Sequence, residues 1–149
     1  MLELILASKS KVRKQILENN GFKCNVKPSN IDEEPIKKSL VNEGATPEIV
    51  SKNLAELKAN KVSEKLIDKI VLGADSIIDL NNEIISKPKD RTEAMSILKK
   101  LNGKTHFLIS SLCLSKNGSM IWNYTDKASL TMKLMTDDTL KNYLSKITD

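Results

Sequence analysis

The sequence has little of what many catalytic sites need: one histidine, His106, and two cysteines, Cys24 and Cys113, in 149 residues. One histidine leaves little basis for a histidine-built zinc site or a Ser-His-Asp triad. The cysteines are far apart and lack CxxC spacing, so we expect reduced, buried thiols. A metal site in this chain would therefore use oxygen ligands, which suit Mg²⁺ or Mn²⁺.

Aromatic residues are also scarce, at 3%, which argues against a base-stacking surface for single-stranded nucleic acid. The apolar runs are much shorter than a membrane span, and Met1–Leu4 lacks the basic lead-in of a signal peptide. We therefore expect a cytoplasmic protein without membrane contact. The net charge of +5 favours an anionic partner, either a phosphorylated small molecule or nucleic acid, although dispersed lysines are also typical of a genomic bias.

The length predicts a single domain, 1–149, with enough apolar residues for a core. Apolar runs, helical periodicity, caps and turn residues divide the chain into alternating strands and helices. The predicted strands are 2–7, 22–28, 70–75, a hairpin around Asn81-Asn82, 105–115, 120–124 and 128–135. The predicted helices are 10–20, 47–65, a segment from Asp90 to Leu101, and one that begins after Thr136, while 29–46 is a predicted loop.

A candidate anion site follows the first apolar run. Ser8 and Ser10 stand where the first strand gives way to a helix, and a helix N-terminus presents unpaired N–H groups to an anion. Lys9, Lys11 and Arg13 add positive charge. The alternative is an ordinary serine N-cap followed by solvated lysines.

Several basic residues occupy apolar helical arcs. Arg13 falls among Val12, Ile16 and Leu17, so we expect it to point along a covered face toward a cleft. Lys58 and Lys61 interrupt an apolar stripe, either because they snorkel or because they reach a polar cleft.

Two further charged positions lie near predicted strand ends. Asp75 ends a buried strand, where ligands of α/β sheets bind, although such an aspartate is also a common turn former. Lys87 follows the hairpin and could return to the same crevice. The acidic trio 32–34 is typical of a solvated turn.

Six short motifs along residues 8–106 resemble, in order, those of the Maf family of nucleoside triphosphate pyrophosphatases. Each motif alone is weak, but the ordered series is specific. The motifs are Ser8-Lys9-Ser10-Lys11-Val12-Arg13, Asp32-Glu33, Leu54-Ala55-Glu56-Leu57-Lys58-Ala59, Gly73-Ala74-Asp75-Ser76, Lys87-Pro88 and Gly103-Lys104-Thr105-His106.

The resemblance implies an α/β fold with an elongated mixed central sheet, flanking helices and a central cleft. It implies metal-dependent hydrolysis of a canonical or modified nucleoside triphosphate to the monophosphate and pyrophosphate, a house-cleaning activity, with Mg²⁺ or Mn²⁺. The implied roles are catalysis and metal binding for Asp75 and Glu33, and triphosphate binding for Ser8, Arg13, Lys58 and Lys87.

The sequence departs from the family pattern in places. Val12 and Ser76 stand at positions linked to base selection, where the family often has other residues. The family also continues for several tens of residues past Asp149, so we expect a C-terminally short member, with a homodimer as one consequence of an exposed sheet edge. Trp122 is expected in the core, and a dimer surface is the alternative. The alternatives to the enzyme are a non-catalytic nucleotide-binding protein and, supported by charge alone, a nucleic-acid-binding module.

Overall fold

The computed structural model describes residues 2–147, which form a mixed α/β fold. The strands are β1 (Leu2–Leu6), β2 (Phe22–Val26), β3 (Val71–Leu80), β4 (Glu83–Ile85), β5 (Thr105–Lys116) and β6 (Ser119–Thr131). The helices are α1 (Lys11–Asn19), α2 (Glu33–Asn42), α3 (Pro47–Ser63), α4 (Arg91–Leu101) and α5 (Asp137–Ser145).

The six strands form one sheet in the order β2-β1-β3-β5-β6, with β4 paired to β3. β1 runs parallel to β2 and to β3, in a register that sets Leu6 beside Val26 and Leu72. β4 is antiparallel to β3. β5 and β6 are also antiparallel to each other, as the side-chain hydrogen bonds Ser111–Thr125 and Thr105–Thr131 show. This confirms the predicted mixed sheet.

Helix α3 packs closely on β3. Thr46 caps it by accepting a hydrogen bond from the N–H of Ile49 at 3.3 Å, and Pro47 occupies its first turn. Its buried face includes Leu54, Ala55, Ala59 and Val62. The contact with the strand is made at Gly73, where a Cβ would overlap the Ala55 carbonyl oxygen and lie 2.7 Å from the Ala59 nitrogen. Glycine at this position therefore sets how near the helix comes to the strand.

The chain divides into two compact units, one made of residues up to 76 and 110–126, the other of 77–109 and residues from 127 onward. In the first unit a cluster of Ile5, Ala7, Val62 and Val71 joins β1, α3 and β3. In the second unit apolar side chains of β3, β4, α4 and the segment after β6 form a separate core. Its members are Leu80, Ile85 and Leu101, with Ile78, Ile97 and Met132 packed against them.

Several predicted elements are confirmed with their caps. Asp90 caps α4 through the N–H of Glu93 at 2.8 Å, and Thr136 caps α5 through the N–H of Thr139 at 3.2 Å. Asn117 and Gly118 both have positive φ in the tight turn that joins β5 to β6, as their residue types predict.

Other sequence predictions are wrong. The predicted loop 29–46 contains α2, because Asp32 occupies the N-cap position and acidic residues in a first turn favour a helix. The strand predicted over 70–75 and the first arm of the hairpin form one strand, β3. The two strands predicted over 120–135 are likewise one, β6.

Two predictions of burial also fail. Trp122, expected in the core, is 47% exposed and stacks on Tyr124 at 6.2 Å between ring centroids. Val12 and Ile16 are exposed, since α1 buries none of its residues. Neither cysteine forms a disulfide; Cys113 is buried as expected, and Cys24 is half-buried. Across the described part of the chain, no helix has the length and apolar character needed to cross a membrane.

Candidate active site

The loop between β1 and α1 holds Arg13 against Ser8. The Arg13 guanidinium donates from Nη1 to Ser8 Oγ at 3.0 Å, and the N–H of Ser10 donates to the same oxygen at 3.2 Å. Ser10 Oγ accepts from the N–H of Arg13 at 3.3 Å and is the N-cap of α1. Ser10 is therefore the helix cap, and Ser8 with Arg13 forms a separate hydrogen-bonded pair whose role as an anion site stays a prediction. Lys9 and Lys11 are exposed.

Lys58 is the centre of a second group of charged residues. It lies on the buried face of α3, with 9% of its surface exposed. Its Nζ is 3.2 Å from Asp75 Oδ1 and donates to the carbonyl oxygen of Ala74 at 3.2 Å. The same ammonium forms an ion pair with Glu33 Oε1. The sequence left two alternatives open for Lys58, outward snorkelling and direction into polar surroundings, and the contacts observed are those of the second.

Glu33 reaches Lys58 from the first residue of α2. Asp32 precedes it as the N-cap residue, so Glu33 lies where the helix dipole favours a carboxylate. Its side chain is 33% exposed, and Oε1 pairs with the ammonium. The acidic trio is therefore a helix start that delivers a carboxylate to the site.

Asp75 is 5% exposed and differs from Glu33 in having one buried oxygen without a partner. Oδ1 pairs with Lys58, whereas Oδ2 has no hydrogen-bond partner among the described residues. Burial raises the pKa of the Asp75 carboxyl, the positive charge of Lys58 opposes that rise, Glu33 adds to it and Lys37 opposes it. A buried carboxylate with a raised pKa and an unsatisfied oxygen is suited to accept a proton.

The sheet register places the two groups beside the carboxyl end of β1. Asp75 itself lies in the middle of β3, not at its end as the sequence predicted, just past the residues of β3 that pair in parallel with β1. The N–H of Ala7 donates to the Leu72 carbonyl at 2.9 Å, and Leu6 pairs with Leu72. Ser8 lies two residues after Leu6, and Ala74 lies two residues after Leu72. The same register therefore places Ser8 beside Ala74, the residue before Asp75. The carboxyl ends of parallel strands are where α/β sheets bind ligands.

Sequence reasoning missed two residues of this site. Ser51 is fully buried on α3 and donates from Oγ to the Asp75 carbonyl oxygen at 3.4 Å. Its spacing of seven residues from Lys58 puts both on one helical face, a signal that was present in the sequence. Lys37, which faces Asp75 electrostatically, lies one turn after Glu33. It could not be placed while α2 was expected to be a loop.

The remaining predicted residues are placed as follows. Lys87 is exposed in the loop between β4 and α4, in the second unit. Val12 is 68% exposed on α1. Ser76 is exposed on β3, with its hydroxyl 3.3 Å from that of Ser110. Their roles in phosphate binding and base selection stay predictions.

The described residues contain no group of three or more histidine, cysteine, aspartate or glutamate side chains placed to hold a metal ion. Two carboxylates, those of Glu33 and Asp75, do converge on Lys58. Mg²⁺ is commonly held by one or two carboxylates together with water and substrate phosphates. Carboxylate oxygens are suitable donors for such a site, so Glu33 and Asp75 fit a cation that the substrate helps to bind.

The raised pKa of Asp75 predicts how stability responds to pH. Between the usual carboxyl pKa of about 3.9 and the higher folded value, the folded protein binds the proton more readily than the unfolded chain. Asp75 therefore costs increasing stability as pH rises through that interval. The free energy of unfolding of Asp75→Asn, relative to the unmodified chain, should rise from about pH 4 and level off above the folded pKa.

Urea denaturation at a series of pH values measures this difference, and Asp68→Asn, at an exposed position, controls for the change in net charge. A relative stability of Asp75→Asn that falls over the same pH interval would mean that Lys58 outweighs burial and lowers the pKa instead.

Comparison with known proteins finds relatives that are named pyrophosphatases. A relative from Pelagibacter ubique, named nucleoside triphosphate pyrophosphatase, is 67% identical over 99% of this chain and 75% of its own length. A relative from Rhizobium etli, named 7-methyl-GTP pyrophosphatase, is 36% identical over 97% of this chain and 73% of its own length.

Solved structures share the fold at low sequence identity. A nucleoside-triphosphatase / dITP/XTP pyrophosphatase from Mycobacterium abscessus superimposes with a TM-score of 0.55 at 10% identity, over 86% of this chain and 72% of that one. A HAM1 protein from Coxiella burnetii gives 0.51 at 15% identity, over 87% and 71% of the two chains. The sequence model described as Maf-like protein matches residues 3–148, and the chain therefore belongs to the Maf family.

Proposed function

We propose that the chain is a nucleoside triphosphate pyrophosphatase that cleaves the bond between the α- and β-phosphates, with Asp75 as the general base. The observation that carries the proposal is the Asp75 carboxylate: one oxygen is held by Lys58, and the other is buried with no hydrogen-bond partner in the described part of the chain. Membership of the Maf family and the names of the relatives support the reaction class.

In the proposed reaction, the oxygen of a water molecule forms a bond to the α-phosphorus. The bond from that phosphorus to the bridging oxygen breaks, and its electron pair leaves with pyrophosphate. The water proton passes to Asp75 Oδ2, and the other product is the nucleoside monophosphate. Because burial raises the pKa of Asp75, its carboxylate accepts this proton more readily than an exposed one would.

Positive groups offset the charge that develops on the bridging oxygen and the leaving pyrophosphate. We assign triphosphate binding to Ser8, Arg13, Lys58 and Lys87. Arg13 is already oriented by its hydrogen bond to Ser8, so little reorganisation is needed when a phosphate arrives. Lys58 is fixed by two carboxylates and a carbonyl oxygen, and it also keeps Asp75 in place.

A divalent cation, Mg²⁺ or Mn²⁺, is part of the proposal, and Glu33 and Asp75 are the residues that would hold it. When bound, such an ion supplies charge neutralisation for the phosphate oxygens. The convergence of the two carboxylates on Lys58 supports this assignment.

The choice of base is assigned to Val12 and Ser76. Both are exposed, and Val12 lies next to Arg13 on α1 while Ser76 follows Asp75 on β3. The relatives carry names that refer to different nucleotides, so the substrate is left at the level of a canonical or modified nucleoside triphosphate.

Replacement of the general base, Asp75, tests the mechanism most directly. Asp75→Asn should lower kcat by about 10² to 10⁴-fold, the contribution of a positioned general base. The assay offers a panel of canonical and modified nucleoside triphosphates, 7-methyl-GTP included, with Mg²⁺ or Mn²⁺, and separates pyrophosphate from orthophosphate.

Asp68→Asn makes the same chemical change at an exposed position and should leave kcat unchanged. Orthophosphate as the product, or full turnover by Asp75→Asn, would overturn the mechanism. Nucleotide binding without turnover across the whole panel would favour a non-catalytic binding protein.

Arg13→Ala tests the anion site. Loss of a charged hydrogen-bond donor to phosphate should raise KM about tenfold or more, because such bonds contribute about 1.5 to 3 kcal/mol. Lys11→Ala removes one charge from the exposed side of the same helix and is the matched control. Equal effects of the two substitutions would show a general charge effect. Ser8–Arg13 would then be interpreted as an ordinary helix cap and not as an anion site.

Removal of divalent metal tests the cation. Chelation with EDTA should abolish turnover and leave the thermal unfolding curve unchanged, because Lys58 already neutralises the carboxylates without a metal. Glu33→Gln should raise the Mg²⁺ concentration needed for half-maximal rate. Full activity in EDTA would contradict the proposed metal role.

A further inference from the structure

A cavity of about 450 Å³ lies within the first unit, away from the contacts of Lys58. The loop after β2 forms one wall of it, and the C-terminal part of α3 with the residues that follow forms the other. Lys27, Lys61 and Lys65 line it with positive charge, and Pro28, Val62 and Leu66 give it an apolar side. Its volume is in the range of small-molecule sites.

Among the described residues, the three lysines of this cavity have no ion-pair partner. None of the residues that line it is acidic. No carboxylate of the described residues comes within 4.0 Å of the Nζ of Lys27, Lys61 or Lys65. Three like charges around one concave space repel each other, and an anion in that space would remove the repulsion.

Lys61 belongs to this cavity and makes none of the contacts of the candidate active site. It follows Lys58 by three residues, and both interrupt the apolar stripe of α3. Lys58 is buried and committed to Asp75, Glu33 and the Ala74 carbonyl, whereas Lys61 is exposed and lines the cavity. The catalytic proposal therefore accounts for the first lysine and leaves the second without a role.

We propose that this cavity is a second ligand site, which takes a phosphorylated organic molecule with at least two negative charges. The phosphate would lie among Lys27, Lys61 and Lys65, whose combined charge suits a dianion better than a single carboxylate. The organic part would lie against Pro28, Val62 and Leu66. This apolar side favours a phosphate ester over inorganic phosphate, which has nothing to bury there.

Methyl NMR of the full-length chain tests the site, with adenosine 5′-monophosphate as the probe and with inorganic phosphate and chloride at matched ionic strength. The methyl groups of Val62 and Leu66 line the cavity, but they also pack with Ala7, the neighbour of Ser8. The variant described below therefore separates binding in the cavity from binding at the candidate active site. We expect saturable shifts with the monophosphate and several-fold weaker binding of inorganic phosphate. Equal affinity for the two anions would overturn the organic part of the proposal, and equal shifts with chloride would overturn the site.

The variant Lys61→Gln/Lys65→Gln should bind the probe about tenfold more weakly, equivalent to about 1.4 kcal/mol. Both side chains are exposed, so the fold should be retained, and Lys69→Gln is a matched exposed control expected to bind normally. Methyl groups that do not respond, or a double variant that binds like the unmodified chain, would overturn the proposal. The monophosphate is not a substrate of the proposed reaction, so absence of pyrophosphatase activity would not affect this test.

Discussion

The structure around the candidate site depends on the contacts of one buried ammonium group, that of Lys58. It joins α3, β3 and α2 at one point by pairing with Asp75, Glu33 and a backbone carbonyl. A buried charge is costly unless it is paired and hydrogen-bonded, so the three elements must come together before this lysine can be buried. Such a group adds little net stability, but it fixes which side chains meet.

In this arrangement Asp75 Oδ2 has no hydrogen-bond partner among the described residues, whereas the other oxygens of Asp75 are hydrogen-bonded. Ser51 holds the backbone of Asp75, and Lys58 holds Oδ1. A buried oxygen without a hydrogen-bond partner lowers the stability of the folded protein. Buried titratable groups of this kind are common at catalytic sites. The contacts of the neighbouring groups keep this oxygen in place without a partner of its own among the described residues.

Much of the site could be predicted from the sequence because its signals are local. A buried run followed by Asp75, and Ser10 at the start of a helix, depend on neighbours in the chain. The burial of a side chain depends on tertiary contacts that the local sequence does not show. Lys58 and Lys61 lie on the same stripe of α3, but Lys58 is buried and pairs with two carboxylates, whereas Lys61 is exposed. Helix α2 was missed because Pro35 in its first turn and its weak apolar pattern resemble a loop, and Trp122 because an edge strand need not be covered.

The close contact at Gly73 has a consequence for how this protein can vary. Any other side chain at that position must push α3 away from β3, and Ser51 and Lys58 would move with the helix. Gly44 has open space around it, so a change there would be limited to the strain of its positive φ. Sequence drift should therefore be tolerated unevenly among the glycines. At position 73 the constraint on the backbone and the constraint on the chemistry are the same constraint.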